Sequence, residues 1–347
     1  MKTPEMFYSA LRTALFQLDA ETAHHLTINS FKQLPRAATW CFREPVVEDP
    51  FECMGLRFRN RVGLAAGLDK NGECLDAWAQ LGFGFVEVGT VTPRPQPGNP
   101  KPRMFRLPAH GALINRLGFN NDGVDALVKN IQRADYRGVL GINIGKNADT
   151  PIEAAADDYR ICLEKVYAHA SYITVNISSP NTANLRSLQT EGPLAALLAS
   201  VNDTRAHLAH QHGRKVPVLI KIAPDMDADA VIRVAQTVQS SGMDGLIATN
   251  TTISRAAVAG ARHAEETGGL SGRPLTAISC EVVRLARAAV GPDFPIVGVG
   301  GIDDAESGRA RIAAGASLLQ IYTGFIYRGP ALVRVLGETV AALRKNY

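Results

Sequence analysis

From residue 62 onward, eight short apolar runs rich in β-forming residues alternate with segments long enough for a helix; they lie at 62–67, 85–89, 139–144, 172–177, 217–223, 245–249, 295–299 and 318–322. Eight strand–helix units in succession predict an α/β fold, the (β/α)8 TIM barrel. Runs such as VLIKIA and LLQIY are apolar almost throughout, the pattern of parallel strands buried on both faces. A chain of 347 residues accommodates such a barrel, which takes roughly 250, together with a small appendage.

The appendage is read at the N-terminus. Residues 4–19 place Phe7, Leu11, Leu15 and Leu18 at helical spacing. A second helix over 21–34 sets Leu26, Phe31 and Leu34 among His24, Asn29, Lys32 and Gln33, and Pro35 is expected to end it. The chain thus divides into an amphipathic helical hairpin, 1–40, and a barrel, 41–347. The hairpin either packs on its own barrel or lies in a membrane interface, as monotopic amphipathic helices do. Between the second and third strands an insertion, 91–123, carries β-prone pieces at 103–106 and 112–114, expected to form a hairpin on one barrel mouth.

Composition narrows the function. With 37 basic against 33 acidic residues, the net charge of +4 does not mark a nucleic-acid binder, although it is compatible with weak attraction to anionic lipid. The cysteines at 41, 53, 74, 162 and 280 form no CxxC pair and no metal-ligating spacing, so they read as reduced thiols and no metal is expected. No apolar run reaches the roughly 18 residues of a membrane span. Glu5, Arg12, Gln17 and Asp19 interrupt what would be a signal-peptide core, so export is not expected.

In this fold the chemistry sits at the strand ends. Those positions hold Ala66-Gly67-Leu68-Asp69-Lys70, Glu87 and Thr90, Asn143, Asn176, Lys221, Thr249-Asn250-Thr251, Gly300-Gly301 and Tyr322-Thr323-Gly324. Singly, an Asn or Thr there caps the next helix. The glycines after the seventh and eighth strands let backbone N–H groups approach a phosphate, or serve only as turns. A flat heteroaromatic with several N and O atoms, a flavin, suits the remaining polar positions, with Lys221 at its N1/O2 edge. The loop Asn176-Ile177-Ser178-Ser179-Pro180-Asn181-Thr182 offers two amides able to grip a ring with alternating C=O and N–H groups, with Ser179 between them; its other reading is a turn stiffened by Pro180.

Motifs over nearly the whole chain carry a resemblance. GLAAGLDKNG (63–72), VEVGTVTPRPQPGNPKPRMFRL (86–107), NRLGFNNDG (115–123), NISSPNT (176–182), ATNTT (248–252), GGLSGRP (268–274), VGVGGI (297–302) and QIYTGF (320–325) follow in the order seen in dihydroorotate dehydrogenases. The chain resembles the membrane-associated, quinone-using class, since the soluble enzymes usually carry cysteine where this chain has Ser179. The resemblance implies one FMN per chain, held by Ala66, Gly67, Leu68, Asp69, Lys70, Thr90, Asn143, Asn176, Lys221, Thr249, Gly272, Gly301, Tyr322 and Thr323. It implies that dihydroorotate binds Lys70, Asn115, Arg116, Leu117, Gly118, Phe119, Asn176, Asn181, Asn250 and Thr251, with Ser179 as catalytic base. A quinone is the expected electron acceptor, entering between the N-terminal helices, with His24 and Arg106 as candidate polar lining. It further implies a monomer bound peripherally to the cytoplasmic face of the cell membrane, acting in pyrimidine biosynthesis. The rivals are a soluble-type enzyme using fumarate or a partner subunit, a non-redox phosphate-binding barrel, and a non-catalytic membrane-surface protein. The sequence shows no route by which Ser179 would lose its proton.

Overall fold

The computed structural model describes residues 3–344. Three helices open the chain, α1 (Thr3–Leu15), α2 (Ala20–Gln33) and α3 (Pro35–Trp40). Asp19 caps α2 by accepting the backbone N–H groups of Glu21 and Thr22. α1 stops at Leu15, short of the expected residue 19; the chain tightens into turns there, and Arg106, from the barrel rim, donates to the carbonyls of Leu18 (2.7 Å) and Phe16 (3.4 Å) beyond its end. Pro35 ends α2 as expected but also begins α3, since proline lacks only an N–H that the first turn does not use.

A short hairpin, β1 (Phe51–Cys53) and β2 (Leu56–Phe58), precedes the barrel. Its Phe58 is fully buried and meets Phe85 edge to face at 5.2 Å, plugging the N-terminal end. The chain then runs through β3 (Val62–Leu64), α4 (Leu75–Trp78), β4 (Phe85–Val91), β5 (Met104–Leu107), β6 (Ala112–Asn115), α5 (Val124–Arg133), β7 (Val139–Ile144), α6 (Ala155–Val166), β8 (Tyr172–Asn176) and α7 (Glu191–His212). It continues with β9 (Val218–Ile222), α8 (Ala228–Ser240), β10 (Gly245–Ala248), β11 (Gly269–Gly272), α9 (Thr276–Val290), β12 (Ile296–Val299), α10 (Ala305–Ala313), β13 (Leu318–Ile321), α11 (Thr323–Arg328) and α12 (Pro330–Arg344).

Eight parallel strands, β3, β4, β7, β8, β9, β10, β12 and β13, close into a barrel, sealed where Leu319 and Ile321 pair with Val62 and Leu64. These are the eight runs read from the sequence. β5 and β6 form the expected rim hairpin, and β11 joins as a third antiparallel strand that the sequence did not announce. The helical hairpin docks beside this rim. Phe31 of α2 meets the buried Trp78 edge to face at 5.2 Å, and Arg103 next to β5 donates to Glu21 at 2.7 Å, with both charged side chains almost fully buried.

Candidate active site

The site grows out of a polar knot in an otherwise apolar barrel. The Glu87 carboxylate, on β4, is wholly buried and accepts from Asn143 Nδ2 (2.8 Å), Tyr172 OH (2.9 Å), Thr174 Oγ1 (3.2 Å) and Gln320 Nε2 (2.8 Å). A buried charge is tolerated only with such donors and an opposite charge, and the nearby Lys221 ammonium supplies the latter. Asn143, fixed by Glu87, accepts from Thr90 Oγ1 (2.6 Å) and Asn176 Nδ2 (3.2 Å). Asn176 Oδ1 is thereby turned to the loop, where it accepts the N–H (3.2 Å) and hydroxyl (3.1 Å) of Ser178. Four strands thus orient the groups at the mouth.

Above the knot opens a cleft of about 950 Å³ including its mouth, within the usual range for ligand sites. The structure brings to its wall Ala66, Gly67, Lys70, Thr90, Asn115, Leu117, Gly118, Phe119, Asn176, Ser179, Asn181, Lys221, Thr249, Asn250, Thr251, Gly272, Gly301, Tyr322 and Thr323. Lys70 and Lys221 both point into it, and among the described residues neither donates to a protein acceptor. Burial, then the neighbouring Arg103 guanidinium, pull Lys70 down to about 8. Burial likewise lowers Lys221, against the charge of Glu87. Two buried ammonium groups whose N–H bonds reach no protein acceptor among the described residues, Lys221 near the Glu87 charge and Lys70 without an ion pair, make a site for an anionic or strongly accepting ligand.

The substrate-side loop is held from several directions. Ser179 is buried and its Oγ accepts the Asn181 N–H at 3.2 Å. Asn181 Nδ2 donates to Asn115 O at 3.1 Å, and Asn250 Nδ2 to Ser178 Oγ at 3.0 Å. Arg186 binds three loops together, donating to Ser178 O (3.1 Å), Asp225 (2.8 Å) and Thr251 O (2.9 Å). On the opposite side, glycines let three loops converge. A Cβ at Gly301 would stand 2.4 Å from Thr276 N, and one at Gly324 would stand 2.1 Å from Ile302 O. Beside them the first N–H groups of α11 have no intrahelical partner.

Four residues named from the sequence stand off the wall. Asp69 accepts from the N–H groups of Glu73 and Cys74 (2.9 Å each) and from Trp78 Nε1 (3.0 Å), so it shapes the turn that presents Lys70. Asn143 sits one layer below, between Glu87 and Thr90. Leu68 faces a second cavity. Arg116 turns outward to Glu266 (2.7 Å) and Pro102 O (2.8 Å). Gly300, read with Gly301 at the seventh strand end, is also on the wall, whereas sequence reasoning missed Ser271, Ile302 and Gln320. Gln320 alone carried a signal, as the one polar residue inside LLQIY.

The second cavity, about 1400 Å³ with its opening, lies between α1, α2 and the barrel. Leu11, Leu15, Phe16, Ala23, Phe31, Met104 and Phe325 make it apolar, and Tyr322 borders both cavities. His24 and Arg106 line it, as expected. Burial, aided by Lys70 and His25, pushes His24 down to about 3, so its imidazole is neutral. Arg106 is fastened to the end of α1 and stacks over Phe16 at 4.5 Å.

A family model described as dihydroorotate dehydrogenase matches residues 50–343. A protein of Burkholderia cenocepacia named dihydroorotate dehydrogenase (quinone) is 59% identical over 338 residues, covering 97% of this chain and 98% of its own. One of Burkholderia pseudomallei with the same name is 59% identical over 335 residues, covering 96% and 98%. Among solved structures, the Eimeria tenella dihydroorotate dehydrogenase in complex with ferulenol superposes with a TM-score of 0.87 at 36% identity, over 94% of this chain and 92% of that one. Its ligand-free form gives 0.86 at 37%, over 94% and 96%. With motifs, barrel and near-full-length identity in agreement, the chain belongs to the dihydroorotate dehydrogenase family, with the quinone-dependent enzymes as its near relatives.

Proposed function

We propose that the chain oxidises dihydroorotate to orotate, with FMN in the cleft and a quinone in the apolar cavity, and so serves pyrimidine biosynthesis. One observation carries this reading: a polar cleft holding two lysines without hydrogen-bond acceptors among the described residues and an apolar tunnel meet at Tyr322. A dehydrogenase that passes electrons to a lipid-soluble acceptor needs both compartments side by side. A non-redox phosphate-binding barrel has no use for the tunnel.

The residues present fit FMN on their own chemistry. Lys221, an ammonium without a protein acceptor, suits an electron-accepting ring edge, and the glycine-lined N–H groups around Gly301 and Thr323 suit a phosphate. Ala66, Gly67, Lys70, Thr90, Asn176, Thr249, Gly272 and Tyr322 would complete the contacts, with Leu68, Asp69 and Asn143 supporting them from behind. When bound, FMN supplies a hydride acceptor for C6 of the substrate and a carrier of its electrons to the quinone.

The chain's own groups do the rest. Lys70 meets the substrate carboxylate, while Asn115, Asn176, Asn181 and Asn250 pair with the alternating C=O and N–H groups of the pyrimidine, walled by Leu117, Gly118, Phe119 and Thr251. Arg116 acts through the rim segment it fastens. Ser179 Oγ takes the proton from C5 while its own hydroxyl proton leaves to solvent, its remaining lone pair directed by the Asn181 N–H that already occupies the other. In the tunnel, neutral His24 offers an N–H to a quinone carbonyl.

Membrane contact is proposed through residues 1–40. Phe7, Leu26, Leu34 and Trp40 are 51%, 51%, 62% and 72% exposed, near the tunnel's helices. No helix among the described residues is long and apolar enough to cross a bilayer, and we place the chain peripherally on the cytoplasmic face, as a monomer. Anaerobic dihydroorotate should bleach the flavin spectrum of the purified chain, and a long-chain quinone should restore it. A colourless protein, or a flavin that dihydroorotate leaves oxidised, would defeat the proposal.

A further inference from the structure

Arg311, on α10, borders neither cavity and is 0% exposed. A guanidinium taken wholly out of water calls for an opposite charge. The other buried arginines among the described residues have one: Arg61 pairs with Asp49, Arg103 with Glu21 and Arg205 with Asp244. Arg311 pairs with no carboxylate. Its Nη1 donates to Ser279 Oγ (2.7 Å) and Val299 O (3.0 Å), its Nη2 to Gly300 O (2.7 Å) and Thr276 O (3.2 Å), and its Nε to Cys280 Sγ (3.3 Å). All five N–H groups are used, yet the charge stays uncompensated within the protein.

Its position says where the compensation lies. Val299, Gly300 and Gly301 line the cleft, so the carbonyls that Arg311 grips belong to the loop facing the ligand. The fit is built in, because a Cβ at Gly298 would come 2.5 Å from Arg311 Cγ. Resting on the FMN reading above, we propose that Arg311 is the buried counter-charge for the cofactor's phosphate. It acts through the 299–301 loop, drawing the carbonyls back and leaving a positive potential at the glycine side of the cleft. It is a positioning and electrostatic residue, without contact to substrate.

The test compares two flavins that differ only in the phosphate. The full chain is stripped of flavin, its fold checked by circular dichroism, and FMN and riboflavin are titrated by fluorescence quenching. Arg311→Gln should weaken FMN by at least about tenfold, the equivalent of 1.4 kcal/mol, and leave riboflavin within about threefold. Arg311→Lys, which keeps the charge, should preserve the preference for FMN. Should Arg311→Gln not fold, Cys280→Asp decides, since it puts a carboxylate beside Nε and neutralises the cation in place; it too should weaken FMN selectively. Equal losses for both flavins, or an unchanged preference in Arg311→Gln or Cys280→Asp, would overturn the inference while leaving FMN binding by the parent chain intact. A parent chain that binds neither flavin would instead sink the functional reading on which it rests.

Discussion

Lys70 should make orotate binding depend on pH in a direction fixed by its surroundings. Burial and the Arg103 charge hold the ammonium at about 8, well under the ordinary lysine value. A ligand carboxylate placed against it stabilises the charged form, so the complex retains a proton that the free protein releases above that pH. Affinity for orotate should therefore be level from pH 6.5 to about 7.5, then weaken by up to about tenfold for each further pH unit. Replacing Lys70 with methionine removes a charge-assisted contact of roughly 1.5–3 kcal/mol, which corresponds to about ten- to a hundredfold in affinity at neutral pH. It should also flatten the profile. Titrating orotate against the flavin absorbance of both proteins from pH 6.5 to 9.5 measures each quantity. A slope that persists in Lys70→Met belongs to the ligand or another group, and an unchanged neutral-pH affinity means the carboxylate is held elsewhere.

Ser179→Ala should keep FMN and orotate but slow anaerobic flavin bleaching by at least about a hundredfold, whereas Ser179→Cys should lose less; stopped-flow bleaching at the parental rate would remove Ser179 from the chemistry. Thr27→Phe, which turns a ring into the tunnel from α2, should leave bleaching unchanged and cut steady-state quinone reduction by about tenfold or more, because a filled interior admits no second ring. Equal rates with quinone before and after that substitution would put the acceptor elsewhere. Glu21→Ala should destabilise the fold by about 3–5 kcal/mol in chemical denaturation, since Arg103 is left buried and unpaired. Burial alone would raise the Glu21 carboxyl, but hydrogen bonding and charge from Arg103, then Lys101, hold it at about 2. That stabilisation should be present above the unfolded value of about 4.3 and fade as pH falls toward 2.

The eight strands were legible because strands buried on both faces leave unbroken apolar runs; β7 covers 139–144 as read. The small sheets were not. β11 reads GLSG, and its two glycines look like a loop, but they are what allows the strand to lie against Thr251 and Gly111, where Cβ atoms would come within 1.9 and 2.3 Å. At the site, strand ends gave the positions and the residue types gave the chemistry, so Lys70, Lys221 and the amides could be named. Depth could not. Asp69 and Asn143 look like ligand groups in the sequence, and only the packing shows Asp69 spent on the turn to Trp78 and Asn143 spent between Glu87 and Thr90. Arg311 was invisible for a related reason, since nothing in AESGRARIA tells a buried arginine from a solvated one.

The N-terminal hairpin shows what periodicity leaves open. Apolar spacing says that a helix has an apolar face and says nothing of what covers it, which is why packing on the barrel and lying in a membrane stood as alternatives. In the folded chain part of the face is packed and part is exposed. Leu11, Leu15, Ala23 and Phe31 border the tunnel, with Phe31 anchored on Trp78 and Glu21 on Arg103, while Met6, Phe7, Leu34 and Trp40 remain more than half exposed. Leu26 does both, 51% exposed and on the tunnel wall, so it marks the mouth. On the proposed reading, the exposed Leu11 and Leu26 on the cavity wall would give a lipid-soluble acceptor an apolar approach toward Tyr322. The same apolar enclosure explains why His24 is neutral: the cavity walls exclude the solvent that would charge the imidazole, and the Lys70 and His25 charges act in the same direction.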